Sequence, residues 1–510
     1  MRRRRRYSRR QFLGGLTAGT ASLIAGCSSS QSKSDGSFTV AVTRDPTREK
    51  WDVYNGVTPY FTHVFEPLVG VTDDMQTEPL LATDWEAVDE TTWDFSLRED
   101  VTFHNGEPLT AAAVVHSFES VFEQWSWVPG WIGVEPNGVT AVDKHTVRFQ
   151  TTEPFPAFPG TISHNYFGIQ HPDATDTPVG TGPFQVSHVE KEQSVTLTPY
   201  EGYRNDAERP SKLTFKWIKD PNTRLLSLEK GSIDIAQTIP KSRASSVSDA
   251  SETAIETGLS PSAGLVAVNL YKSPTDDELL RKALNWAVDQ KQLVESALNG
   301  IGKPARGPIS SVIPWAVHDD LPTYGPDREK ARELVEKSKY DGETLSILVN
   351  SENTDDGTIA QILNGWFSDI NVKSEIRQVD PASFNDTFTA GEANLTLVGF
   401  GSNSAACDYL IRAMFHSEGS DNRKLHERNG TGVYNPGPEI DRLIEDGYRA
   451  ETMAKKREYY GEVQKRVVDT GAVIPLYYNE HVLGRQSSVS GIDGHPIDKM
   501  VGWSSLSREQ

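Results

Sequence analysis

The apolar positions of this chain alternate between two periods. Phe38 to Val42 (FTVAV) predicts a first strand, and Tyr60 to Val69 follows with Phe61, Val64, Phe65 and Leu68 at helical spacing. Trp93 to Arg98 alternates as a strand, and Val101 to Gly106 predicts another that ends in an Asn105-Gly106 turn. Thr110 stands where a helix N-cap is expected, ahead of a stripe of Val114, Val115, Phe118 and Phe122. Leu213, Phe215 and Trp217 alternate again, while Ala283, Leu284, Ala287, Val288 and Ala297 fall on one helix face. Pro326-Asp327 opens a helix carrying Ala331, Leu334 and Val335, and Leu395 to Phe400 reads as a buried strand. Pro438 opens a helix with Ile440, Leu443 and Ile444, and Val463, Val467 and Val468 form a further stripe. Val473 to Tyr478 predicts a last strand, in which Pro475 marks an edge or a crossing segment. Strands and helices mix without an internal repeat, so the class is α/β.

The N-terminal stretch follows different rules. Ser8-Arg9-Arg10-Gln11-Phe12-Leu13 has the paired arginines and apolar followers of a twin-arginine export signal, behind a basic Arg2 to Arg6. Leu23-Ile24-Ala25-Gly26-Cys27 is a lipobox, with Cys27 as the residue to be acylated and to become the new N-terminus. The intervening run is too short and too rich in Gly, Ser and Thr to span a bilayer, which takes about 20 mostly apolar residues. Residues 28–37 (SSSQSKSDGS) then read as a flexible tether. The expectation is a body held at the outer face of the cytoplasmic membrane by lipid, with no later stretch of membrane length.

Charge narrows the partners. The formal net charge is −20 over 510 residues, and the leader holds seven arginines, so the remainder is more acidic still. Nucleic acid is disfavoured, because phosphate binding needs a basic surface. The even spread of Asp and Glu favours the acidic surface of a halophile, kept soluble by hydration and self-repulsion in concentrated salt, over the ordinary acidity of a large secreted protein. With Cys27 assigned to lipid, Cys407 is left alone, which excludes an intramolecular disulfide and a cysteine metal site and makes Cys407 a small packed residue. HExxH, GxSxG, P-loop and GxGxxG signatures are missing, and no histidine pair has strong metal-ligand spacing. His104 reads as structural; His63, His116 and His164 could meet only through the fold. No catalytic residue, metal or cofactor is assigned.

The stretch EPLLATDWEAVDETTWDFSLREDVTFHNGEPLTAAAVVHSFE, residues 78–119, resembles the signature of the peptide/nickel-type solute-binding proteins of ABC importers, solute-binding family 5. Gly180-Thr181-Gly182-Pro183-Phe184, Asn205 with Pro210, Asn222-Thr223-Arg224 with Leu228 and Gly231 to Asp234, and Arg281 to Asp289 are similar to that family's later segments, in order. The resemblance implies a bilobal α/β fold of the type II periplasmic-binding-protein kind, with a hinge between lobes and a small extra α/β domain. Lobe I would comprise 38–58, 178–262 and 475–510, the extra domain 59–177, and lobe II 263–474. It further implies a monomer that captures a peptide or small solute and passes it to a permease with ATPase subunits. A nickel-chelate, opine or oligosaccharide binder is the alternative within the family. A secreted lipoprotein hydrolase or a purely structural surface lipoprotein are the alternatives outside it.

Two stretches carry the candidate binding residues. Trp125, Trp127 and Trp131 lie in a run broken by Pro129 and Gly130, which suits either a cleft wall or the local core of a long loop. The segment Gly399 to Phe415 contributes Phe400, Asn403, Asp408 and Tyr409. Peptide binders of the family carry here a Trp-containing loop and an Asp for the ligand's ammonium group. A gapless match on Leu410 and Met414-Phe415 puts Ala406 at that Asp and Cys407 at the usual following Pro, with Phe400 at the aromatic position. Asp408, two residues on, either substitutes for the ammonium-binding Asp or caps the following helix.

Overall fold

The computed structural model describes residues 36–47, 61–173, 178–248, 250–353, 355–419, 422 and 437–509. The export signal, the lipobox with Cys27 and most of the tether lie outside the described residues. No helix among the described residues is long and apolar enough to cross a membrane.

An eleven-stranded sheet runs through both lobes. Its lobe II side is Ser374–Val379, Leu345–Asn350 and Leu395–Phe400; its lobe I side is Ile235–Gln237, Ser37–Val42, Lys212–Trp217, Ser194–Pro199 and Phe184–Glu190. Two long antiparallel strands, Thr253–Val268 and Val473–Gln486, join the halves. Ser37–Val42 is parallel to both neighbours and buried on both faces: Phe38, Val40 and Val42 enter one core and Ala41 another, which is why it reads as a continuous apolar run. Pro475 pairs with Leu265 inside the long strand, so the last strand is a crossing segment.

The joining strands change register where they pass between lobes. Leu259 pairs with Glu480 and Ala263 with Tyr478, so Ser260, Pro261 and Ser262 stand opposite Asn479 alone. Pro261 has no N–H to give the ladder, and the extra residues let this point bend. The sequence-derived boundaries at 262/263 and 474/475 fall within these two strands.

The span between lobe I strands holds a four-stranded antiparallel sheet, ordered Ala82–Asp89, Thr92–Leu97, Thr146–Thr151, Val134–Ala141. Helix Ala111–Gln124 covers it, started by Thr110, whose Oγ1 accepts from the Ala113 N–H at 3.3 Å. Phe95, Phe118, Phe149, Phe158 and Phe167 fill the space between, with the Phe118 and Phe149 centroids 4.9 Å apart.

Three local expectations need correction. Val101 to Gly106 keeps its turn, with Gly106 at φ +85°, but makes only one isolated bridge, Thr102 to Pro108. Part of its hydrogen bonding goes to lobe I, where Tyr200 Oη donates to the Phe103 carbonyl at 2.7 Å. The face from Ala283 to Ala297 belongs to two helices, Glu278–Ala287 and Gln290–Ala297; the chain turns extended at Val288, and Asp289 caps the second, its Oδ1 accepting from the Gln292 N–H at 2.9 Å. Tyr60 to Val69 is helical among the described residues only over Phe61–Val64.

Candidate functional site: the junction between the extra domain and lobe II

Trp131 is the residue around which this junction is built. Pro129 and a left-handed Gly133 at φ +67° bracket its helix, Val128–Ile132, and present the indole to lobe II. Its ring lies 5.3 Å from His164, 6.0 Å from Phe167, 6.4 Å from Tyr166 and 5.8 Å from Tyr409. Tyr409 belongs to lobe II, on helix Asp408–Phe415, so this last contact crosses between lobes. Of the other two tryptophans, Trp125 packs against the extra domain's core, and Trp127 keeps its ring 5.9 Å from that of Trp131 while staying 51% exposed.

Tyr409 is anchored by donating its hydroxyl to the Gly401 carbonyl at 3.0 Å. Burial pushes its hydroxyl well above the ordinary phenol range, opposed by hydrogen bonds from Ser402 and the Asn403 backbone. The half-buried Asn403 thus lies in the loop that holds Tyr409. Phe400 enters the lobe II core, 6.4 Å from Phe415.

His164 and Tyr166 were not assigned from the sequence. His164 is buried and caps a single turn, with Nδ1 accepting from the Tyr166 N–H at 3.2 Å; burial, then Lys499, holds its pKa well below the ordinary value. Burial raises Tyr166 and Arg44 opposes that, while burial lowers Lys499, Asp498 opposes, and Arg44 lowers it further. Arg44 and Lys499, both of lobe I, are thus near enough to act on Tyr166 and His164. Nothing local in the sequence marks these residues, since they converge from distant segments. His63 and His116 have other neighbours: Phe184 at 6.2 Å and Ser120 at 3.5 Å.

The loop before Tyr409 closes against the extra domain through its backbone. The Ala405 N–H donates to Ser163 Oγ at 3.0 Å and the Ala406 N–H to the Gly160 carbonyl at 3.2 Å. A Cβ on Gly160 would stand 2.9 Å from the Ala406 nitrogen, so Ala406 sits against backbone. Cys407 is buried, and burial pushes its thiol up to about 12, which suits a packed residue.

Asp408 meets neither sequence alternative. Cys407 is the N-cap and Asp408 the first helical residue, and its carboxylate accepts from Lys456 Nζ at 2.5 Å and Tyr460 Oη at 2.9 Å. The residue is 2% exposed. With its charge already matched inside lobe II, it is neither a helix cap nor an open receptor for a ligand's ammonium group.

Beyond this wall, Glu153 of the extra domain accepts from Arg412 and Arg449 of lobe II, each at 2.9 Å, and Phe155 stacks on Tyr448 at 4.1 Å. Burial raises the Glu153 carboxyl, but the two guanidinium groups outweigh it and hold the pKa below the usual value. Among the described residues, Glu107, His171 and Asp173 bring ligand-type atoms within 4.8 Å of one another. His171 Nδ1 accepts from the Asp173 N–H at 3.1 Å, so the neutral ring carries its proton on Nε2, facing Glu107 Oε2 at 2.8 Å. Both ring nitrogens are thus used without a metal.

The model of the bacterial extracellular solute-binding proteins, family 5 (middle), matches residues 76–422, and the chain belongs to that family. It is 24% identical over 438 residues to the probable D,D-dipeptide-binding periplasmic protein DdpA of Escherichia coli K12, covering 82% of this chain and 83% of that protein. It is also 24% identical over 447 residues to the glutathione-binding protein GsiB of Salmonella typhimurium, covering 84% and 85%. Among solved structures, NikA from Staphylococcus aureus in complex with Ni(L-His)2 superposes with a TM-score of 0.77 at 19% identity, over 93% of this chain and 100% of that one. The fold is therefore that of a bilobal solute-binding protein of ABC import systems.

Proposed function

We propose that this chain is the lipid-anchored, extracellular substrate-binding subunit of an ABC importer, exported through the twin-arginine route and held at the membrane by Cys27. It takes peptides or peptide-like solutes between its lobes and delivers them to a permease. The observation that carries this reading is the Trp131–Tyr409 contact, in which aromatic side chains of the two moving parts face each other. The ligands that the curated relatives are named for, a D,D-dipeptide and glutathione, point to the same solute class. Because Asp408 is paired with Lys456 and Ala406 is packed on Gly160, the solute is not selected by a free α-ammonium group at either position.

Calorimetry with matched free and N-acetylated peptides tests the reading on protein purified in high salt. Comparable affinity for the two forms, lost in Trp131→Ala, is expected. Failure of both peptide sets to bind, with a co-purified sugar or metal chelate seen by native mass spectrometry, would replace peptides as the solute.

A further inference from the structure

A cavity lies where the extra domain meets lobe II, beside the backbone contact between Gly160 and Ala406. Its volume is about 200 Å³. The extra domain supplies Trp85, Trp93 and the loop Pro156–Gly160; lobe II supplies Trp315, Ala405 and Met453. The rings are held in place before anything binds. Trp85 stacks on Phe95 with centroids 6.2 Å apart, and Trp315 meets Tyr460 edge-on at 4.9 Å. The charged groups on the wall, Asp408 and Lys456, neutralise each other at 2.5 Å and leave no net charge to attract an ion. Trp93 Nε1 is buried with no hydrogen-bond partner among the described residues, and Met453 stands at the wall 44% exposed, a large apolar side chain in solvent.

These features define a ligand by subtraction. A charged molecule has nothing to pair with, and the half-buried rings of Trp85 and Trp93 suit a flat ring better than an aliphatic chain. With about 200 Å³ open between its walls, the space fits a single ring or two fused rings. We propose that this cavity binds a neutral planar aromatic molecule of one or two rings and thereby holds the extra domain and lobe II together. Because its walls come from both parts, occupancy favours the arrangement in which they touch, in proportion to the difference in affinity between the two arrangements. The proposal rests on the cavity and not on which solute the Trp131 wall receives.

Quinoline, neutral at pH 7 with an accepting ring nitrogen, is the probe. Saturation-transfer NMR and calorimetry on the full chain should show binding, and small-angle scattering should show a smaller radius of gyration at saturation. Ala157→Phe, which fills the cavity, should weaken quinoline by about tenfold or more; Met453→Ala, at an exposed position, should weaken it by about threefold without touching the core. Trp131→Ala should leave quinoline affinity unchanged. Quinoline binding that survives Ala157→Phe and Met453→Ala but disappears in Trp131→Ala would overturn the proposal, as would absence of binding or binding without compaction.

Discussion

The extra domain has two junctions, and they are built in opposite ways. Toward lobe I, Glu66 is 4% exposed and accepts from both terminal nitrogens of Arg204 at 2.8 and 2.7 Å, from Tyr203 Oη at 2.9 Å and from Thr181 Oγ1 at 3.0 Å. Gly180 and Gly182 press onto the 63–64 backbone so closely that a Cβ would meet the Val64 and His63 carbonyl oxygens at 1.9 and 2.2 Å. Toward lobe II, the ion pairs of Glu153, Arg412, Arg449 and Glu445 are partly solvated, and a cavity remains beside them. A buried, saturated charge network without room for a methyl group cannot part and re-form without a large penalty. A solvated one can. On that contrast the first junction is expected to hold the extra domain and lobe I as one body, and the second to be the face that parts if the two long strands bend at Ser260–Ser262.

The largest expected effect tests the fixed junction. Glu66→Ala strands Arg204, Tyr203 and Thr181 together, and leaving a buried charge unpaired costs about 3–5 kcal/mol. Urea unfolding should shift accordingly, with one cooperative transition if the two parts are one body. Two separated transitions in the wild type would break the comparison. Asp408→Asn comes next. It leaves the buried Lys456 without its counter-charge, so the loss should exceed the roughly 1 kcal/mol of a lost helix cap. Peptide affinity should change alike for free and acetylated ligands, and a selective loss for free-amino peptides would restore the ammonium reading.

The fixed junction also carries the acid sensitivity. His63 and His104 are lowered to about 4, in each case first by burial, with backbone hydrogen bonds opposing. His104 Nε2 lies 3.0 Å from the Gly182 carbonyl. Both are neutral when folded but take up a proton below about 6.5 when unfolded. The unfolded state then binds more protons, so stability falls as pH drops from about 6.5 to 4, by up to about 1.4 kcal/mol per pH unit for each histidine. Thermal melts at pH 7 and 5 measure this. Equal melting temperatures would show that these rings are not buried as described.

What the sequence makes legible is local. Thr110 and Asp327 are readable as helix starts because the cap and the backbone N–H that donates to it lie three residues apart. The conformation of Val101 to Gly106 was not, because its phenol partner, Tyr200, comes from a distant part of lobe I. Asp408 shows the limit best. Its acidity and place at a helix start were visible, but Lys456 and Tyr460 lie 48 and 52 residues away on another helix. Trp131 was half legible: the tryptophan run stood out, and only the fold separates the one facing Tyr409 from the one in the core and the one in solvent.

The smallest effect on stability falls at the opening junction, and it is the sharpest test of the comparison. Glu153→Gln removes the charge shared by Arg412 and Arg449, yet both arginines keep Glu445 at 3.3 and 3.1 Å. Exposed pairs contribute about 0–1 kcal/mol, so the unfolding midpoint should scarcely move. The lobes should nevertheless part more readily, seen as a larger radius of gyration without ligand. Salt should act on the wild type in two opposed ways. Screening, with a Debye length of about 8 Å at physiological ionic strength and 3 Å at 1 M, weakens the Glu153 pairs. The same screening relieves the self-repulsion of a chain with net charge −20 and should raise its melting temperature. A salt series read by melting and by scattering on the same samples should therefore show a more stable and more open protein as salt rises. Glu153→Gln should share the gain in melting temperature but lose most of the change in radius. A radius that responds to salt equally in both proteins would show that Glu153 does not hold this junction.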